Sequence, residues 1–104
     1  MTTTRPVYEE QRTAWQGIGI TIRWSPRWLS RDGAEFLFSH LEIVADNRRP
    51  LPVTETGYRS HFCHPSDIEA HGGPVGFAIA WLDHEADTPE WQARLASFRQ
   101  LSLF

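Results

Sequence analysis

A chain of 104 residues with 40% apolar content, including five Trp, six Phe and two Tyr, has the material for one domain around a single core and not for two. Its formal charge of −3 excludes broad electrostatic attraction to DNA, and no apolar run reaches the roughly 18 residues of a membrane-spanning helix. Cys63 is the sole cysteine, so no internal disulfide exists, and the start Met1-Thr2-Thr3-Thr4-Arg5-Pro6 carries no hydrophobic signal segment, which makes the cytoplasm the expected location.

The charge is uneven. All ten basic residues are arginine; residues 1–31 hold five of them against two acids, a balance of +3, whereas residues 32–104 hold five against eleven acids, a balance of −6. Residues 1–14, with Thr, Pro and charge but little periodicity, read as a loose N-terminal arm. From Gly17 to Trp24 the chain alternates, with Ile18, Ile20, Ile22 and Trp24 on one face, which predicts a strand with one buried side that Pro26 ends or bends. Glu35 to Ala45 predicts a second strand, Phe36, Phe38, His40, Glu42 and Val44 opposing Leu37, Leu41, Ile43 and Ala45, with an irregularity at Ser39-His40. Asp46-Asn47-Arg48-Arg49-Pro50 is a turn, and a third strand is expected over Tyr58 to Phe62.

The period then changes. Ser66 and Glu69 have capping-box spacing, so Pro65 to Ala70 reads as one helical turn closed by Gly72-Gly73. Pro74 to Ala86 fits both periods: Val75, Phe77, Ile79 and Trp81 alternate, yet Val75, Ala78, Ile79 and Leu82 fit a helix. Pro74 at a first helical position and the alanine content favour the helix. Thr88-Pro89-Glu90 is a capping threonine, a first-position proline and an acid in the first turn, predicting a helix to about Arg99. The fold class that follows is α+β, a small antiparallel sheet of about three strands followed by two or three C-terminal helices, as one domain over residues 15–99.

Three constellations carry chemistry. Arg23-Trp24-Ser25-Pro26-Arg27-Trp28-Leu29-Ser30-Arg31 interleaves stacking rings with phosphate-seeking cations, so Arg23, Trp24, Arg27, Trp28 and Arg31 form a candidate contact for DNA. The opposing reading makes Trp24 and Trp28 core anchors whose neighbouring arginines face water. Thr54 to Phe62 concentrates functional groups: Glu55 or His61 suits a general base, and Arg59 with Tyr58 suits an anion. As structure, the same residues form a strand edge in which Glu55 pairs with Arg59. His61, Cys63, His64 and His71 are ligand types, but His-x-Cys-His lacks the paired spacing of structural zinc modules, and no metal or cofactor is expected. A lone Cys63 reads as a buried small apolar residue rather than a nucleophile.

The run His40-Leu41-Glu42-Ile43, then Pro50 through Phe62, then Ala80-Trp81-Leu82-Asp83, resembles an uncharacterised family of small proteobacterial proteins from plasmids and other mobile elements. The resemblance covers about residues 15 to 104 and implies a setting near DNA maintenance, with no catalytic residue to carry over.

Residues 100–104, Gln100-Leu101-Ser102-Leu103-Phe104, resemble the pentapeptide with which bacterial replication and repair proteins dock on the DNA sliding clamp: glutamine, leucine, serine or aspartate, leucine, phenylalanine. All five positions match. The resemblance implies that Leu103 and Phe104 fill a hydrophobic cleft, Gln100 sets the polar register, Leu101 makes a secondary apolar contact and Ser102 is a spacer. A competing reading places Trp91, Leu95, Phe98 and Leu101 on one stripe of a helix that folds back on the core. The expectation is a non-enzymatic adaptor or modulator that binds the sliding clamp, with DNA contacted locally and no membrane. The alternatives are a small DNA-processing enzyme using Glu55, Arg59 and His61, and a structural homo-oligomer without clamp binding.

Overall fold

The computed structural model describes residues 8–29 and 37–101; the side chains of residues 26–29, 37 and 98–101 lie outside the description. In chain order the elements are β1 (Glu9–Trp15), β2 (Ile18–Leu29), β3 (Leu37–Ala45), a short 3-10 turn (Asp46–Arg48), β4 (Tyr58–Cys63), α1 (Pro65–Ala70), α2 (Pro74–Ala86) and α3 (Pro89–Leu101). The strands form one antiparallel sheet in the order β1-β2-β3-β4, and the fold is α+β.

The sheet therefore has four strands rather than about three. The additional one, β1, takes up residues 9–14 of the expected loose arm. Its sequence hid it: Glu9 to Arg12 and Ala14 are exposed on an edge strand, so no apolar alternation marks them. Gln16 and Gly17, with φ of 48° and 79°, supply the positive-φ pair that a two-residue hairpin connection needs to turn β1 into β2. The irregularity expected at Ser39-His40 lies on the partner strand: the register shifts between Ser25, opposite His40, and Trp28, opposite Phe38. Pro26, without an N–H to give the ladder, sits in that interval.

Strand alternation divides the sheet into two unlike faces. On one, Ile20 lies opposite Ala45, Ile22 opposite Ile43 and Trp24 opposite Leu41, and these residues join Trp15, Ile18 and Leu51 in the core. Helix α2 closes the core from the same side by burying Pro74, Ala78, Leu82 and Ala86, one residue per turn. A fully buried Leu or Ile contributes about 1.5–3 kcal/mol, so this face carries most of the stabilisation. Helix α3 begins as its sequence requires, the Trp91 N–H donating to Thr88 Oγ1 at 3.3 Å. The Trp91 ring lies 5.8 Å from that of Trp15, whose Nε1 donates to Asp83 Oδ1 at 2.8 Å. Helix α1 spans the expected residues, but its cap is His64 rather than Ser66: His64 Nδ1 accepts from the Ser66 N–H at 3.2 Å.

The second face is polar. Arg23 lies opposite Glu42, Ser25 opposite His40, Glu42 opposite Ser60 and Val44 opposite Tyr58. Among the described residues no helix is long and apolar enough to cross a membrane.

Candidate functional site

On the polar face, residues distant in sequence are tied into a cross-strand ring. Arg23 Nη1 donates to Glu42 Oε1 at 2.8 Å, and the Tyr58 hydroxyl donates to Glu42 Oε2. The Tyr8 hydroxyl is hydrogen-bonded to His40 Nδ1, and His40 Nε2 is paired with Ser60 Oγ at 2.6 Å. The Arg23 guanidinium lies 4.5 Å above the Tyr8 ring, closing the circuit. The Glu42 hydrogen bond raises the Tyr58 pKa, burial raises that of Tyr8, and burial lowers that of His40. Both phenols and the imidazole thus stay neutral around one ion pair. The donors and acceptors of this ring are spent on each other, which makes it a brace across β2, β3 and β4 and the residue before β1 rather than a centre awaiting a substrate.

The helix side of β4 is different. Arg59, His61 and Cys63 share that face by alternation, while Tyr58, Ser60 and Phe62 point to the other. A stripe of α2 outside the core, Phe77, Ala80, Trp81 and His84, recurs at helical spacing and meets His61 from β4 and His71 from the end of α1 around a hollow of about 370 Å³. The His61 ring stands 4.7 Å from Trp81 and 5.9 Å from Phe77, and His71 meets Phe77 edge-on at 5.3 Å. The Arg59 guanidinium lies 5.5 Å over the Trp81 ring. Gly76 brings the pieces together: a Cβ there would collide with the His71 carbonyl oxygen, so only glycine lets the end of α1 approach α2 this closely.

Here the polar groups are unspent. Among the described residues neither the Arg59 nor the His61 side chain makes a hydrogen bond or an ion pair. Burial first, and Arg59 second, lower the His61 pKa against a smaller opposing effect of Asp67, so its ring is held neutral with one nitrogen a donor and the other an acceptor. His71 uses only Nδ1, bonded to the Asp67 carbonyl at 2.8 Å.

The sequence-nominated residues are thereby partly gathered and partly dispersed. Arg59 and His61 stand together at the groove. Glu55 instead gives its carboxylate to Arg94 of α3 at 2.6 Å, not to Arg59. Arg23 and Trp24, neighbours in the interleaved segment, are separated by strand alternation: Arg23 enters the polar ring and Trp24 packs against the core. The side chains of Arg27 and Trp28, and all of Arg31, lie outside the described residues. Cys63 is buried, its thiol pushed up chiefly by burial, with Sγ 3.4 Å from Ser39 Oγ. No group of three His, Cys, Asp or Glu among the described residues could hold a metal ion. Gln100 and Leu101 belong to the backbone of α3, with side chains outside the description, and Ser102, Leu103 and Phe104 lie beyond it.

Sequence reasoning missed the groove's α2 wall. The available signal was that this helix is apolar on two faces, Ala78 and Leu82 in the core and the half-buried Phe77 and Trp81 flanking it. A family described as the KlcB third domain matches residues 8–91, which spans the whole sheet, α1, α2 and the first turn of α3. The chain belongs to the KlcB third-domain family. The match takes in both the polar ring and the groove, and residues 92–104 lie outside it. No curated protein and no solved structure matches the chain.

Proposed function

We propose that this KlcB third-domain protein is a non-enzymatic adaptor that docks on the bacterial DNA sliding clamp through Gln100, Leu101, Ser102, Leu103 and Phe104. The observation that carries the reading is the agreement of all five residues, in order, with the clamp-docking pentapeptide. With each residue at its average usage, such a match arises at a given position on the order of once in a million. The course of α3 lends support. Among the described side chains its packing lies at buried Trp91 and half-buried Leu95, while Ala96 and Ser97 are exposed.

The apolar contacts of Leu101, Leu103 and Phe104, at about 1.5–3 kcal/mol each, total about 4.5–9 kcal/mol before the cost of ordering a short segment, so the affinity is micromolar at its tightest. Such a tether delivers the globular domain to replicating DNA or competes with polymerases for the cleft. The dispersal of Glu55, whose carboxylate goes to Arg94 rather than to Arg59, is also in keeping with the adaptor reading. Retention of purified clamp by immobilised full-length protein, and its loss in a chain ending at Arg99, is the expected outcome. Equal retention by both chains rejects the reading.

A further inference from the structure

We propose that the groove between β4 and α2 binds a nucleotide, its base stacked among His61, Phe77 and Trp81 and its phosphate held by Arg59. The site is independent of the pentapeptide and stands or falls without it.

The hollow, about 370 Å³, is within the range of small-ligand sites and is walled by rings on three elements. Ala80, exposed and small, lines it beside the larger Phe77, Trp81 and His84, and this step in side-chain size leaves room there. The rings meet in one stacked, one tilted and one edge-on contact at 4.7 to 5.9 Å, and their outer faces and edges are offered to a planar guest. An aliphatic occupant would satisfy the rings alone. It would desolvate the nitrogens of His61 and leave them unpaired, at a cost comparable to a lost hydrogen bond each. A heteroaromatic base instead presents donors and acceptors on its edge to a neutral imidazole that has one of each.

Charge selects the rest of the ligand. Arg59, with no carboxylate paired to it among the described residues, lies over the same Trp81 ring, 5.5 Å from its centre. A guanidinium stacked on an aromatic and lacking a counter-ion is a bidentate receptor for a phosphate beside a stacked base. Glu85 faces His84 at 3.7 Å, and Glu55 is taken by Arg94 at 2.6 Å.

Thymidine monophosphate and a short oligothymidylate, titrated separately into the full chain labelled for the five tryptophan indole N–H signals, test the proposal. Trp81→Phe assigns the Trp81 signal. Saturable movement of that signal is expected in at least one arm; oligothymidylate binding about tenfold or more tighter identifies a single strand as the source, and equal affinities identify the free nucleotide. Arg59→Gln removes the phosphate contact, and Ala80→Leu fills the hollow from an exposed position without touching the core; each is expected to weaken binding about tenfold. A Trp81 signal that is still in both arms, or movement that survives both substitutions unchanged, overturns the proposal. So does a signal moved only by a phenylalanine-bearing peptide.

Discussion

Gly57→Ala is expected to destabilise the domain far more than its small volume suggests. Gly57 has φ of 76°, and its carbonyl accepts from the Ala45 N–H at 2.8 Å, which ties the end of the β3–β4 connection to the end of β3. Any L-residue in that backbone conformation costs about 1 kcal/mol. A Cβ at Gly57 would also stand 2.6 Å from Arg48 Cα, where ordinary contact begins at 3.4 Å, and the obstacle is backbone. Arg48 has little freedom to retreat, because it and Asn47 hold φ of 54° and 58° in the 3-10 turn. Overpacking of this kind adds about 1–3 kcal/mol, for a total of about 2–4 kcal/mol. At about 4–8 °C per kcal/mol for a domain of this size, the melting temperature should fall by at least about 8 °C. Gly17→Ala is the control: its φ of 79° carries the same conformational cost, but nothing lies within 4 Å of its Cβ. That variant should lose only about 5 °C. Calorimetric melting of the two proteins side by side decides the matter. Equal losses would show that the Arg48 backbone moves aside and that the connection does not fix β4.

The polar ring and the groove yield two further expectations. Removing Glu42 strips both Arg23 and Tyr58 of their partner; because the Arg23 side chain is 40% exposed, Glu42→Ala should cost about 2–3 kcal/mol, below the full penalty for a buried pair, and Glu42→Gln about 1 kcal/mol. Urea unfolding measures both, and a loss under about 0.5 kcal/mol for the alanine variant would deny the ring its bracing role. The pH dependence has a definite sign. Burial lowers the pKa of His40 and His61 below the ordinary 6.5, so the unfolded chain takes up these protons first. Their contribution to stability is complete above pH 6.5 and is lost as the pH falls through the folded values. The urea midpoint should drop between about pH 7.5 and pH 5, and His40→Gln with His61→Gln should flatten the drop; a midpoint that rises on acidification contradicts the assignment.

What could be read from the residues depended on how far apart the cooperating groups lie. β2 was legible because Ile18, Ile20 and Ile22 all face one core, and α3 because Thr88, Pro89 and Glu90 act within a single turn. β1 was hidden, since an edge strand exposed on both faces has no apolar period. α2 matched two periods because it has two apolar faces, the core stripe through Ala78 and Leu82 and the groove stripe through Phe77 and Trp81. The polar ring joins residues 16 to 32 positions apart and exists only through strand register. Likewise, the sequence distance of 39 between Glu55 and Arg94 concealed the partner that takes Glu55 away from Arg59. Arg59 and His61 drew notice by residue type, but their setting against Trp81 required the helix to be placed.

Titration calorimetry of purified bacterial sliding clamp with the full chain, and with a Leu103→Ala, Phe104→Ala double variant, tests the adaptor reading most directly. Saturable heat with a Kd in the micromolar range is expected for the full chain, and the double variant should bind at least about a hundredfold more weakly because both buried anchors are gone. No heat at high micromolar clamp, or a double variant that binds as tightly as the parent, would contradict it.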